Sequence, residues 1–197
     1  MKKIGILGGT FNPIHNAHIY VAKQVLEKVG LDKILFIPAG RPPWKSSSVL
    51  DANSRAKMVK IAIKDNPKFE LSLIEVNRPG LSYTTDTLQE LILNDPDAEF
   101  YYIMGADSFC NILKYNGAEE FIPKINFIVA NREGTDPKAV QQIAEKVKAK
   151  GGKEVYILES YGQDISSTLI RDSRQLDKLV PKGVAQYIKN NGLYGYK

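Results

Sequence analysis

The sequence predicts an α/β protein: a Rossmann-like, doubly wound parallel sheet with a small helical extension toward the C-terminus. Three observations carry this. Short apolar runs rich in Ile, Val, Phe and Tyr recur along the 197 residues. Most are followed by a stretch whose apolar positions repeat at helical spacing. No long linker, low-complexity tract or internal repeat interrupts the alternation. Strand followed by helix, repeated, sets parallel strands side by side with helices on both faces. One domain over residues 1–197 is therefore expected.

Each element has its own reason. Ile4-Gly5-Ile6-Leu7, closed by Gly8-Gly9, is short, β-branched and followed by a turn, as a buried strand should be. Over residues 16–29, Ile19, Val21, Ala22, Val25, Leu26 and Val29 keep helical spacing, and Gly30 offers a left-handed stop. Residues 33–38 (KILFIP) form a second strand, and the glycine, prolines and serines of residues 40–48 a loop. A helix spans residues 52–64, capped by Asp51 or Asn53. Residues 69–76 alternate as a third strand, residues 77–82 turn, and residues 84–93 form a helix. The fourth strand, residues 99–104, ends at Gly105-Ala106-Asp107. Residues 125–130 and 154–158 are strands five and six, with a helix over residues 137–150 between them. Residues 167–179 and 182–190 are closing helices.

Composition narrows the function classes. Apolar residues at 43% and charged residues at 25% exclude a disordered chain. A single cysteine, Cys110, excludes an internal disulfide framework and fits a reducing compartment. No run approaches the roughly 18–20 apolar residues of a membrane span. The first apolar run is broken too soon, at Gly8, Gly9 and Asn12, for a signal peptide. A cytoplasmic protein without a membrane partner is expected. Lys plus Arg exceed Asp plus Glu by 27 to 22, a net charge of +5. These cations are scattered, so no nucleic-acid partner is expected, although an anionic small molecule would be attracted. Monomer and homo-oligomer both stay open.

In doubly wound sheets the ligand lies outside the carboxyl ends of the strands, near the switch in strand order. The loop after strand one, Gly8 to His18, is the richest. Its glycines let another group approach the backbone, and amides there and at the next helix start can cradle an anion. His15 and His18, three apart on one side of a helix start, are the only histidines. A Walker A loop is excluded because Thr10-Phe11, not Lys-Ser/Thr, follows Gly9. The spacing of Gly5, Gly8 and Gly9 excludes a dinucleotide fingerprint. A zinc site would need three or four ligands where the histidine pair supplies two. After strand six, Ile165-Ser166-Ser167-Thr168-Leu169-Ile170-Arg171 opens a helix. Its hydroxyls and first amides, with the Arg171 fork, suit a second anion site. A routine helix cap remains the alternative.

Gly8-Gly9-Thr10-Phe11-Asn12-Pro13-Ile14-His15, with His18, resembles the signature of the HxGH nucleotidylyltransferase superfamily, and residues 165–171 resemble its second signature. Ala17 stands where the family usually has Gly, and Asn12 where Asp is commoner. Pro42-Pro43-Trp44-Lys45, residues 82–88 (SYTTDTL), Gly105-Ala106-Asp107, Arg132 and Leu193-Tyr194 extend the likeness nearly end to end, to bacterial nicotinate-nucleotide adenylyltransferases. That resemblance implies adenylyl transfer from ATP to nicotinate mononucleotide, with magnesium accompanying the ATP. It implies catalytic roles for His15, His18 and Arg171. It puts Gly8, Gly9, Thr10, Phe11, Gly105, Asp107, Ser166, Ser167 and Thr168 at ATP, with Asp107 on a ribose hydroxyl or capping the next helix. It puts Asn12, Lys45, Thr84, Tyr115, Asn116 and Arg132 at the mononucleotide. Lys45 as a solvated loop residue, and Arg132 in a surface ion pair, stay beside those roles. Tyr115-Asn116 replaces the family's usual Trp-Tyr, and Trp44 its usual His. A dual nicotinate/nicotinamide specificity, or a non-catalytic nucleotide sensor of the same fold, are the alternatives.

Overall fold

A six-stranded, all-parallel sheet in the order β3-β2-β1-β4-β5-β6 forms the centre of the computed structural model. The structure describes all residues except 44–48, 132–133, 159–164, 174 and 197. The strands are β1 (Lys2–Gly9), β2 (Lys33–Pro38), β3 (Phe69–Leu71), β4 (Ala98–Gly105), β5 (Asn126–Ala130) and β6 (Val155–Leu158). The main helices are α1 (Asn16–Lys28), α2 (Ala52–Ile63), α3 (Ile74–Asn77), α4 (Thr84–Asn94), α5 (Ala106–Phe109), α6 (Ala118–Phe121) and α7 (Pro137–Ala149). Three more follow near the C-terminus: α8 (Ser167–Ser173), α9 (Leu176–Leu179) and α10 (Lys182–Asn190).

Alternation along the strands divides the core between two faces. Ile34, Phe36, Tyr101, Ile103 and Ile128 face one side, where Ala22 and Val25 of α1, Met58 and Val59 of α2 and Val184 and Ile188 of α10 cover them. Ile4, Ile6, Leu35, Ile37, Phe127 and Val129 face the other, under Leu88 of α4, Phe109 of α5, Phe121 of α6 and Val140 of α7. The chain thus winds outward from β1 on one face and outward from β4 on the other. The β1–β4 border is the switch point, where adjacent loops leave in opposite directions and open a crevice.

The elements follow the sequence closely, with instructive departures. Val29 caps α1 and Gly30 takes φ +68°, the left-handed stop. Asp51 caps α2, its carboxylate accepting from Ser54 N–H at 2.8 Å. β1 reaches Lys2 and Gly9 because it pairs on both sides, with Gly9 opposite Pro38 and Lys2 opposite Ala98. The third strand is much shorter than residues 69–76. Ser72 N–H makes the last rung to the Phe36 carbonyl at 3.0 Å. Leu73 then leaves the extended region (φ −95°, ψ 15°) and α3 begins. The helix expected over residues 167–179 is two helices, α8 and α9, with Gln175 at φ −102°, ψ 35° ahead of α9.

Candidate active site

At the switch point a cleft of about 340 Å³ lies over the carboxyl ends of β1 and β4. Gly8, Gly9, Thr10, His15, His18 and Gly105 line it. A second cavity of about 570 Å³ adjoins it, lined by Asp107, Lys114 and Asn116. Ser82, Thr84, Ser108 and Tyr115 line both, so the two form one continuous site.

The β1 loop turns at Phe11, which holds φ +49°. Such a backbone costs a non-glycine residue about 1–2 kcal/mol. Burial offsets it: Phe11 is 2% exposed and its ring meets His18 edge-on at 5.0 Å and Phe36 at 6.3 Å. His15 and His18 stack, centroids 3.6 Å apart. His18 Nδ1 accepts the His15 backbone N–H at 3.2 Å. An Nδ1 that accepts cannot carry the proton, so this bond selects the Nε2–H tautomer of neutral His18. His18 is thereby set as a donor through Nε2.

The far signature meets this loop. Ser167 Oγ donates to the Pro13 carbonyl at 2.9 Å, across 154 residues of sequence. Arg171 donates to the Asn12 carbonyl at 2.8 Å and to Thr168 Oγ1 at 3.1 Å. Ser166 caps α8, its Oγ accepting from Leu169 N–H at 3.1 Å. Of this signature Ile165 reaches the cleft lining. The anion fork expected of Arg171 is therefore used, in this arrangement, to fasten the loop. Asn12 is engaged in the same way. It is 3% exposed, and its Oδ1 accepts from Tyr194 O–H at 2.8 Å and Leu50 N–H at 3.3 Å. These two bonds engage the Asn12 side-chain oxygen in bracing the loop.

Gly105 caps α5 and lines the cleft, while Asp107 sits in the first turn of that helix, exposed at the second cavity. Asp107 is not the cap residue; Gly105 is. α4 starts at Thr84, and its cap residue Tyr83 offers no side-chain acceptor to the first turn. Thr84 Oγ1 lies 3.4 Å from Tyr102 O–H, and burial pushes the Tyr102 phenol well above its usual range. Thr85 Oγ1 donates to the Asn116 carbonyl, tying the Tyr115–Asn116 wall to α4. Burial raises the Tyr115 phenol, and the Ser108 hydroxyl partly offsets this. Trp44, Lys45 and Arg132 lie outside the described residues.

Sequence reasoning missed three groups. Arg55 is 1% exposed and reaches three loop carbonyls. Ser82 Oγ accepts from the N–H groups of Gly40 at 3.0 Å and Arg41 at 3.2 Å. Glu75 lines the main cleft; burial raises its pKa, against hydrogen bonds from the Thr87 and Ser82 hydroxyls. Arg55 sits in a helix, where a cation ordinarily reads as surface, and its partners are main-chain atoms without a sequence signature. Ser82 belongs to the residue 82–88 segment but carried no role of its own there, and Glu75 gave only proximity to that segment as a signal.

A profile of the cytidylyltransferase-like family matches residues 6–173. A Clostridium acetobutylicum protein named "Probable nicotinate-nucleotide adenylyltransferase" is 39% identical over 199 residues, covering 98% of this chain and 100% of the relative. One of the same name from Geotalea daltonii is 41% identical, covering 98% of each. The chain belongs to the nicotinate-nucleotide adenylyltransferase family. Among solved structures, Plasmodium falciparum nicotinic acid mononucleotide adenylyltransferase complexed with NaAD superposes with a TM-score of 0.80 at 22% identity, covering 100% of this chain and 99% of that one. At that identity the likeness speaks for the fold, and the fold of this adenylyltransferase family member is the doubly wound one described above. No helix among the described residues is long and apolar enough to cross a membrane.

Proposed function

We propose that the protein transfers the adenylyl group of ATP to nicotinate mononucleotide, releasing pyrophosphate and forming nicotinate adenine dinucleotide, within one domain of residues 1–197. The observation that carries this reading is the His15–His18 pair on the wall of a two-part cleft at the switch point. An oxygen of the mononucleotide phosphate attacks the α-phosphorus of ATP, and the bond to pyrophosphate breaks. That nucleophile is ionised at neutral pH, so positioning and charge stabilisation are the protein's task.

His18 donates from Nε2 to a non-bridging oxygen of the α-phosphate, and His15 and the amides from Gly8 to Phe11 complete the cradle. Gly105 and Asp107 take the adenosine side, with Asp107 accepting from a ribose hydroxyl. Ser166, Ser167 and Thr168 meet the distal phosphates at the start of α8, and Arg171 adds its charge beside them. The Thr84 amide receives the nicotinate carboxylate with the Asn116 amide, and Tyr115 stacks on the pyridine ring. Among the described residues no group of three or more His, Cys, Asp and Glu side chains converges. Magnesium bound with ATP would neutralise phosphate charge beside His15, His18 and Arg171.

The test is pyrophosphate release with ATP, magnesium and either nicotinate or nicotinamide mononucleotide. A kcat/KM favouring the nicotinate form by about 100-fold or more supports the reading, a margin built-in polar contacts can supply. A ratio near one assigns dual specificity, for which the Asn116 side chain at the second cavity is the motive. No release with either mononucleotide refutes the reading.

A further inference from the structure

Arg55 heads the fully buried side chains by size, and among the described residues it has no carboxylate within ion-pair distance. Its three kinds of guanidinium nitrogen each donate to a main-chain carbonyl: Nε to Leu50 at 2.8 Å, Nη1 to Thr10 at 2.7 Å and Nη2 to Gly40 at 3.0 Å. Those carbonyls belong to the loop after β1, the loop after β2 and the segment entering α2. Asp51 and Glu75 act on this charge only from beyond ion-pair distance; a buried cation without a directly paired carboxylate is costly, and apolar side chains of similar volume often fill such space at no loss of stability. The charge and the fork therefore need a reason other than packing.

We propose that Arg55 is a positioning residue for adenylyl transfer: by clamping the Thr10 and Gly40 carbonyls it sets the distance between the two loops that flank the cleft. The inference rests on the adenylyl-transfer reading above. Thr10 lines the cleft, and its carbonyl is drawn to the guanidinium. A cation on one end of a peptide polarises the other, so the following N–H, that of Phe11, becomes a stronger donor to an anion. On the second loop, Gly40 offers its carbonyl to Arg55 and its N–H to Ser82, which lines both cavities. A Cβ at Gly40 would stand 2.1 Å from the Glu75 carbonyl oxygen, so this loop sits against its neighbour by backbone alone. A chain of direct bonds thus runs from Thr10 through Arg55 and Gly40 to Ser82. Lysine keeps the charge but cannot span three carbonyls with a rigid fork.

The experiment compares Arg55→Lys and Arg55→Met with the unmodified protein by pyrophosphate release, thermal unfolding and circular dichroism. Arg55→Lys is expected to keep the native spectrum, with kcat lowered by about 30-fold or more and KM for ATP changed by less than about 5-fold, the pattern of a misplaced transition-state contact. Arg55→Met is expected to fall further. A kcat within about threefold of normal in folded Arg55→Lys overturns the inference, even with a lower Tm, because packing alone would give that result. A second measurement needs no variant. In the unmodified protein, nitrogen NMR of the arginine side chains is expected to show a slowly exchanging Nε–H for Arg55. Its shift is expected to move when a non-hydrolysable ATP analogue binds, and an unmoved shift on binding overturns the inference. Absent turnover in the unmodified protein refutes the adenylyl-transfer reading instead, and the NMR arm still decides the role of Arg55.

Discussion

His18 has two separable jobs, and two substitutions divide them. His18→Ala removes both the Nδ1 that accepts the His15 N–H at 3.2 Å and the Nε2 donor proposed above to meet phosphate. Losing a helix-start bond of this kind costs about 1 kcal/mol. At this chain length that is a fall in Tm of about 2–4 °C. Losing one preorganised donor to a developing oxyanion costs about 100- to 1,000-fold in kcat. His18→Asn places an amide oxygen near the position of Nδ1 but reaches no further. It is expected to regain most of the Tm while kcat stays down by about 100-fold. The assay pairs steady-state pyrophosphate release with differential scanning calorimetry on the same preparations. Asparagine restoring kcat to within about tenfold would refute the Nε2 role, and alanine leaving Tm unchanged would refute the capping role.

Two further outcomes follow from packing and burial. Gly40→Ala puts a Cβ 2.1 Å from one backbone oxygen and 2.9 Å from its carbon, so neither partner can yield; urea unfolding should show a loss of about 3 kcal/mol. Burial raises the phenols of Tyr102 and Tyr194 above the ordinary 10.0. The unfolded chain then loses these protons first, so their contribution is full below about pH 10 and is lost as pH rises toward the folded-state values. Tyr194→Phe removes the 2.8 Å bond to Asn12, which should cost about 1 kcal/mol at pH 8 and make the alkaline decline shallower in a pH series of unfolding curves.

Periodicity was enough for the sheet because its central strands β1, β2, β4 and β5 are buried on both faces and the covering helices turn apolar residues toward them. It failed where a local bond overrode the pattern. Residues 69–76 alternate well enough for a strand, yet Leu73 turns away and remains 39% exposed, while Ser72 Oγ accepts from Ile74 N–H at 3.4 Å. The short α5 and α6, which flank the wall from Asp107 to Asn116, are too brief for a helical period to register. The histidines were legible because a glycine loop after a strand has few other uses for them. The direction in which Asn12 and Arg171 point was not legible. A side chain braced against its own loop and one extended toward a phosphate have the same sequence, and distant partners such as Tyr194 decide between them.

Those distant partners set an order of events. The loop from Asn12 to Pro13 is fixed by Ser167, Arg171 and Tyr194, at separations of 154, 159 and 182 residues. Contacts this far apart carry the largest loop-closure entropy and form late in folding. On the ribosome, the histidine loop emerges early but stays untied until the residues around Tyr194 have left the exit tunnel. A nascent chain can therefore assemble most of its sheet before this loop acquires a shape.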